Sequence, residues 1–198
     1  AGKEHKLSLP LIGAYQMNNV LTAAGLVLAT DGDWATTLSG MGRVSPVRGR
    51  LERAVISRAG APVYVDYAHT PDAIEAAIGA LRPHVEGRLI TVLGAGGDRD
   101  HGKRPEMGAV AARLSDAVIV TDDNPRSEDP AAIRKAVLAG APDATEIGDR
   151  RSAIAEALRI AKAGDIVLVA GKGHEQGQII GDQVLPFDDV TVARECAA

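Results

Sequence analysis

Four short clusters of ionisable residues interrupt an otherwise apolar chain, and each follows directly on a run of aliphatic side chains. They are DYAHT at 66–70, GAGGDRDHGKR at 94–104, TDDNPRSE at 121–128 and GKGHE at 171–175. Ionised groups are expensive to take out of water without a partner, so such clusters belong at a surface or at the mouth of a site. Arg99, Arg104 and Arg126 present planar forks suited to carboxylate or phosphate, whereas Asp98, Asp123 and Glu175 can receive an ammonium group or a metal ion. A ligand bearing both signs of charge suits the set, as a zwitterionic amino acid beside a nucleotide would. The competing reading is that these residues only satisfy one another and the loop backbone.

Several familiar chemistries do not fit. GAGGDR would need glycine at position 99 to complete a dinucleotide fingerprint, and Arg99 stands there. His69, His101 and His174 follow no metalloprotease spacing, so a protein-bound zinc is not expected. Lys172 lies outside any GxxxxGK[ST] phosphate loop, and no serine sits in GxSxG. Gly171 and Gly173 fit a tight turn as well as close approach to a ligand. Cys196 is the one cysteine and lies near the C-terminus, which excludes an intrachain disulfide and suggests an incidental residue.

The segments between the clusters say how they are brought together. PVYVDYA at 62–68, RLITVLGAGG at 88–97, DAVIVTDDNPR at 116–126 and DIVLVAGKGHE at 165–175 read as strands, with a short one at TEIG, 145–148. Helices alternate with them. Thr70 caps the first ahead of Pro71, Pro105 opens the second, and Asp129 with Pro130 begins the third, which Gly140 closes. Asp149 caps a fourth, QIIGDQVLPF forms a hairpin turning at Gly181 and Asp182, and DDVTVAREC makes a final short helix. Continuously apolar strands alternating with helices specify an α/β class, a doubly wound and mainly parallel sheet covered on both faces. In such a sheet every strand-to-helix loop emerges at the carboxyl edge, where ligands bind, and all four clusters fall in those loops.

The first 47 residues differ from the rest. LSLPLI at 7–12 suggests the end of a strand, and MNNVLTAAGLVLA at 17–29 a helix too apolar to stand in water alone. Pro46, Gly49 and a group of arginines mark a linker near 43–49. The 198 residues, 45% hydrophobic, suffice for one domain with an appendage. A formal charge of −4 and 3% aromatic residues argue against a nucleic-acid partner. No apolar run approaches the roughly 18 residues of a membrane span, and AGKEHKLSLP lacks a signal-peptide core, so a soluble cytoplasmic protein is expected.

VDYAHTPDAIEAA, GAGGDRDHGKRPEMG, VTDDNPRSEDP and LVAGKGHEQGQ, in this order and spacing, resemble the C-terminal domain of the Mur ligases. DNPR at 123–126 resembles the members that add meso-diaminopimelate. GAYQMNNVLTAA resembles the tail of that family's central ATPase domain and RGRLERA its hinge, so the resemblance covers essentially the whole chain. It implies a Rossmann-like amino-acid-binding domain at 48–198 after a remnant of the central domain and hinge at 1–47. The implied activity is peptide-bond formation without a ribosome. ATP, with Mg2+, phosphorylates a carboxylate of UDP-MurNAc-L-Ala-D-Glu, and the amine of diaminopimelate attacks the acyl phosphate. A non-catalytic binding domain of the same descent is the alternative, and a nicotinamide-dependent enzyme on the same fold ranks last.

The resemblance also implies roles. Arg126 offers a bidentate partner to the far carboxylate of diaminopimelate, with Asp123 and Asn124 beside it and Pro125 holding the turn. Arg99 is a second carboxylate contact, Gly171 allows backbone approach, and Glu175 takes the distal ammonium. Asn19, Arg50, Asp66 and His69 match nucleotide-side positions, although Gln16 replaces the family's usual asparagine and Ala95 stands where some relatives have cysteine. The family's UDP-binding domain, phosphate loop, magnesium-binding acids and carbamylated lysine would all lie upstream, so no catalytic residue and no metal ligand is expected within this chain. The chain alone is expected not to ligate.

Overall fold

The computed structural model describes residues 4–198 and divides into two compact units between Val47 and Arg48. The first contains α1 (Ala14–Ala29) and α2 (Trp34–Met41). Helix α1 is apolar on all sides rather than along one stripe, and Val20 is its single buried residue among those described. Leu21, Leu26 and Trp34 are more than half exposed. Helix α2, which the sequence reading passes over, starts where the Asp33 carboxylate accepts from Thr36 N at 2.7 Å. The strand expected at 7–12 does not form: the segment is irregular and bent. Pro10 lacks a donor there, and no described strand in this unit offers a ladder to join.

The second unit begins with β1 (Glu52–Ile56) and β2 (Pro62–Asp66), followed by α3 (Pro71–Leu81), β3 (Leu89–Ala95), α4 (Lys103–Leu114) and β4 (Ala117–Asp122). It continues through α5 (Pro130–Leu138), β5 (Thr145–Glu146), α6 (Arg150–Ile160) and β6 (Ile166–Ala170) to the hairpin β7 (Gly177–Ile180) and β8 (Gln183–Pro186), and ends in α7 (Asp189–Ala197). Six strands form one sheet in the order β1-β2-β6-β3-β4-β5. All neighbours are parallel except β1 against β2. The sequence does not announce β1, because Ala54 is the one buried residue of ERAVI and an irregularity between Arg53 and Val55 interrupts the alternation.

Alternation along the strands sorts the core into two layers. Val63, Val65, Ile90, Val92, Ile119, Val167 and Val169 pack with Ile154, Ala157, Val190 and Ala193 of α6 and α7. The intervening positions, among them Leu89, Leu93 and Leu168, are equally buried on the face covered by α3, α4 and α5. Every residue of β3 is buried, since it has strands on both sides and helices on both faces. Thr70, Asp129, Asp149 and Asp188 cap their helices through side-chain oxygens. Helix α4 departs from expectation, starting two residues before Pro105, which is tolerated because first-turn N–H groups have no intrahelical acceptor. Among the described residues no helix is long and apolar enough to cross a membrane.

One buried ion pair ties the layers to the carboxyl edge. Arg150, at the start of α6, is fully buried, and its Nε and Nη2 donate to the Asp189 carboxylate at 2.8 and 2.7 Å. Its Nη2 also donates to Ala170 O, the last residue of β6, at 3.0 Å. Burial works against the guanidinium charge, but the Asp189 charge and hydrogen bonds, with Asp123 and Glu175 behind them, outweigh it and hold the arginine above its ordinary pKa. Breaking one side leaves an uncompensated charge. Asp189→Asn should therefore lower the unfolding free energy in urea by about 3–5 kcal/mol, whereas Arg150→Met with Asp189→Leu should lose much less.

Candidate functional site

The strand ends fall in register: Asp66 pairs with Ala170, Leu93 with Ala170 and Ala95 with Asp122. The loops that leave them surround a cleft of about 180 Å³. Tyr67 and His69 line it from the loop after β2, Arg99 from the loop after β3, and Lys103 and Met107 from α4. The loop after β4 contributes Asp123, Asn124 and Arg126, and the loop after β6 contributes Gly171 and Glu175. Six of the seven residues read as amino-acid contacts therefore share one cavity, together with His69. Pro125 is buried behind it, with its carbonyl against Gly97, where a Cβ would overlap that oxygen.

The loop after β4 is held from three sides. Gly97 N donates to Asn124 O at 2.8 Å, while in the hairpin Arg126 N donates to Ile179 O at 3.0 Å and Gly181 N to Arg126 O at 2.7 Å. These bonds keep Arg126 at φ 53°, a left-handed conformation uncommon for arginine. Its Nη1 donates to Gly97 O at 2.8 Å. Asn124 is buried, and one amide hydrogen goes to Glu175 Oε2 at 2.8 Å, so the carboxamide serves the neighbouring acid as well as the cleft.

Other positions depart from the sequence reading. Arg104 is buried and its fork is taken by Glu128, at 2.9 and 2.8 Å, and by Gly96 O, so it is not a free contact for a ligand. Asp98 likewise accepts from Ser127 Oγ at 2.6 Å and does not line the cleft. Asp66 is buried with its carboxylate on Leu51 N at 2.7 Å, and burial pushes its pKa up against the pull of that N–H and of Ala68 N. It anchors the start of β1 rather than facing solvent. Arg50 lies over the Tyr67 ring with its guanidinium carbon 5.0 Å from the centroid, and the rings of His69 and His174 flank the same tyrosine at 4.5 and 4.9 Å. Asn19 lies in the other unit, where its amide donates to Gln16 Oε1 at 3.0 Å.

The residue that sequence reasoning missed is Lys172, dismissed there because no phosphate loop surrounds it. Its side chain is fully buried, and its ammonium donates to Asn124 Oδ1 at 2.7 Å beside Glu175 and Asp123. The available signal was its place between Gly171 and Gly173 after a wholly apolar strand. Both glycines have positive φ, of 119° and 53°, a backbone course that turns the intervening side chain inward.

Residues 49–173, well over half of the chain, match the model of the Mur ligase glutamate ligase domain. The chain belongs to the Mur ligase family. Among curated Mur ligases, the UDP-N-acetylmuramoyl-L-alanyl-D-glutamate–2,6-diaminopimelate ligase of Zymomonas mobilis is 66% identical over 98% of this chain and 41% of its own length. That of Caulobacter vibrioides is 57% identical, over 96% and 39% respectively. A solved structure of a ligase of the same name superimposes with a TM-score of 0.73 at 36% identity, covering 96% of this chain and 40% of that one. The chain thus spans about two fifths of the length of the relatives it matches.

In this Mur ligase chain the Arg104–Glu128 pair fastens the first turn of α4 to the loop after β4. The Arg104 hydrogen bonds, with Asp98 N and the charges of Arg104 and His101, hold Glu128 well below its ordinary value, at about 2. A carboxylate depressed in the folded state stabilises it fully above its unfolded pKa and loses that contribution as pH falls toward the folded value. The difference in thermal midpoint between the native chain and Glu128→Gln should accordingly be constant near neutrality and shrink between about pH 4.5 and pH 2.

Proposed function

We propose that this chain is the amino-acid-binding part of an ATP-dependent ligase that adds meso-diaminopimelate to UDP-MurNAc-L-Ala-D-Glu. The observation that carries the reading is the division of charge in the cleft, with Arg99 and Arg126 facing it together with Asp123 and Glu175. Diaminopimelate bears an ammonium and a carboxylate at each end, so its far end needs an anion acceptor and a cation acceptor side by side. Arg126 serves the carboxylate with Arg99, Glu175 takes the ammonium with Asp123 nearby, and Gly171 leaves room for backbone approach. A Cβ at Gly171 would lie 2.5 Å from Asp123 Oδ2 and would displace that acid. Asn124 and Pro125 fix the loop, so little ordering is required on binding.

The residues 1–47 are read as the end of a central ATP-binding domain and 48–198 as the amino-acid domain; Arg50 and His69 are the nucleotide-side candidates within the second unit, and Asn19 is the candidate within the first. The Tyr67 ring, with Arg50 and the two histidines around it, suits the aromatic and polyanionic parts of a nucleotide. Asp66 acts behind that surface by holding β1. Magnesium is assigned, on the family resemblance, to acids in the remainder of the whole ligase. Acyl-phosphate formation likewise draws on groups outside this chain. The chain's own contribution is to hold the incoming amine acceptor in place, which converts a bimolecular attack into an oriented one.

In the full-length ligase, Arg126→Lys should retain the charge but lose the fork. The ratio of kcat/KM for diaminopimelate to that for lysine should fall by roughly 10–100-fold, as loss of a charge-assisted hydrogen bond of about 1.5–3 kcal/mol requires. An unchanged ratio would remove Arg126 from substrate choice. The purified 198-residue chain should show no diaminopimelate-dependent ADP release, and measurable ligation by it would refute the division of labour proposed.

A further inference from the structure

Lys172 has no part in the reading above, yet it is one of the largest fully buried side chains of the molecule. An ammonium group without water requires acceptors on several sides, and three groups surround this one. Asn124 Oδ1 lies at 2.7 Å, Glu175 Oε2 at 3.4 Å and Asp123 Oδ1 at 3.7 Å. Asp123 and Asn124 come from the loop after β4, and Lys172 and Glu175 from the loop after β6, so the contact bridges loops whose strands both flank β3.

Two consequences follow from elementary electrostatics. Asp123 and Glu175 are like charges near one ammonium, and Lys172 lowers their joint charge from two negatives to one. Asn124 Oδ1 also accepts Ile179 N at 3.0 Å, so with two donors on the oxygen the amide nitrogen must face Glu175, where it donates at 2.8 Å. Glu175 is thereby held in a fixed place on the wall of the cleft that Arg99 and Arg126 also line. The backbone accommodates this without alternatives, because a Cβ on Gly173 would stand 2.6 Å from Tyr67 Cβ, and one on Gly171 would meet Asp123.

We propose that Lys172 is a positioning residue for the ammonium end of the cleft: it cancels one carboxylate charge and orients Asn124, so that Glu175 stands as a singly charged acceptor for one substrate ammonium. This rests on the cleft being the diaminopimelate site. Lys172 touches no substrate atom in this account and acts through Asn124 and Glu175. Its loss should therefore appear in recognition of the amino acid and not of the nucleotide.

The test uses the full-length ligase. Lys172→Met should raise KM for diaminopimelate about tenfold or more, lower kcat by a smaller factor, and leave KM for ATP within about twofold. Its thermal midpoint should fall, because two carboxylates lose their cation. Lys172→Met combined with Glu175→Gln should recover part of the midpoint, while its KM for diaminopimelate stays above that of Glu175→Gln alone, since Asn124 Oδ1 has lost one of its two donors. If the double variant matches Glu175→Gln in KM, or if Lys172→Met raises both KM values alike, Lys172 is only a packing residue and the inference is overturned. Should Lys172→Met fail to fold, the comparison of the double variant with Glu175→Gln decides alone. Absence of diaminopimelate turnover in the unmodified ligase would instead sink the reading of the cleft itself, which separates the two failures.

Discussion

The side chain of Asn124 is the constraint on which the cleft depends. Its oxygen accepts from Lys172 Nζ and Ile179 N, its nitrogen donates to Glu175, and its backbone carbonyl accepts from Gly97 N. One buried residue thus connects the loops after β3, β4 and β6 with the hairpin β7–β8, its carboxamide making the contacts to the loop after β6 and to the hairpin. Each connection is short in space and long in sequence, from residue 97 to residue 179, so the arrangement exists only once the sheet has formed. Because two donors converge on one oxygen, the amide has a single satisfied orientation in the interior, where an unmade hydrogen bond costs about 1–3 kcal/mol. The acid that faces the cleft inherits that orientation.

Arg126 depends on the same hairpin in a different way. A left-handed residue other than glycine costs roughly 1–2 kcal/mol, and the two backbone hydrogen bonds from Ile179 and Gly181, at about 1 kcal/mol each, offset it. Strain of this kind persists where the surroundings over-determine it, and here it aims a guanidinium along the cleft instead of outward into solvent. The hairpin itself has little core, with Val184 and Leu185 exposed, so its place is held by polar contacts to the loop it steadies. Loop and hairpin stabilise each other, and neither is built to stand alone.

Much of this was legible in the chain. Apolar runs such as LITVLGA and IVLVA can be stable only as strands covered on both faces, and caps such as Thr70-Pro71 and Asp129-Pro130 mark helix starts by local chemistry, so the alternating elements and the shared edge of the four loops could be read directly. What escaped depended on partners distant in sequence. Arg104 and Arg126 look alike as residue types and both line the cleft, but Glu128 claims the fork of the first and not that of the second. Lys172 was set aside for want of a phosphate loop, because its three neighbours lie 3 residues and about 48 residues away in the chain. Strand β1 and the irregular segment at 7–12 failed as readings for a related reason, since a short extended stretch is decided by whether a neighbouring strand receives it.

The balance of charge around the cleft bears on how it discriminates. Behind it lie two buried cations, Lys172 and Arg150, of which the second is fully neutralised by Asp189 and the first is shared between two acids. Of the charged groups that line the cavity, Arg104 is paired with Glu128, and Asp123 and Glu175 share Lys172, whereas Arg126 has no carboxylate at ion-pair distance among the described residues. Arg126 has only carbonyl oxygens on its Nη1, from Gly97 at 2.8 Å and Asn124 at 3.4 Å. Carbonyls satisfy donors but do not cancel a charge, so a carboxylate entering the cleft gains a charge-assisted bond without first breaking an ion pair. If the cleft takes diaminopimelate as proposed, an amino acid lacking its second carboxylate would enclose the guanidinium with nothing to neutralise it. Rejection would then come from the group left unpaired, a stronger discriminator than any contact the wrong substrate fails to make.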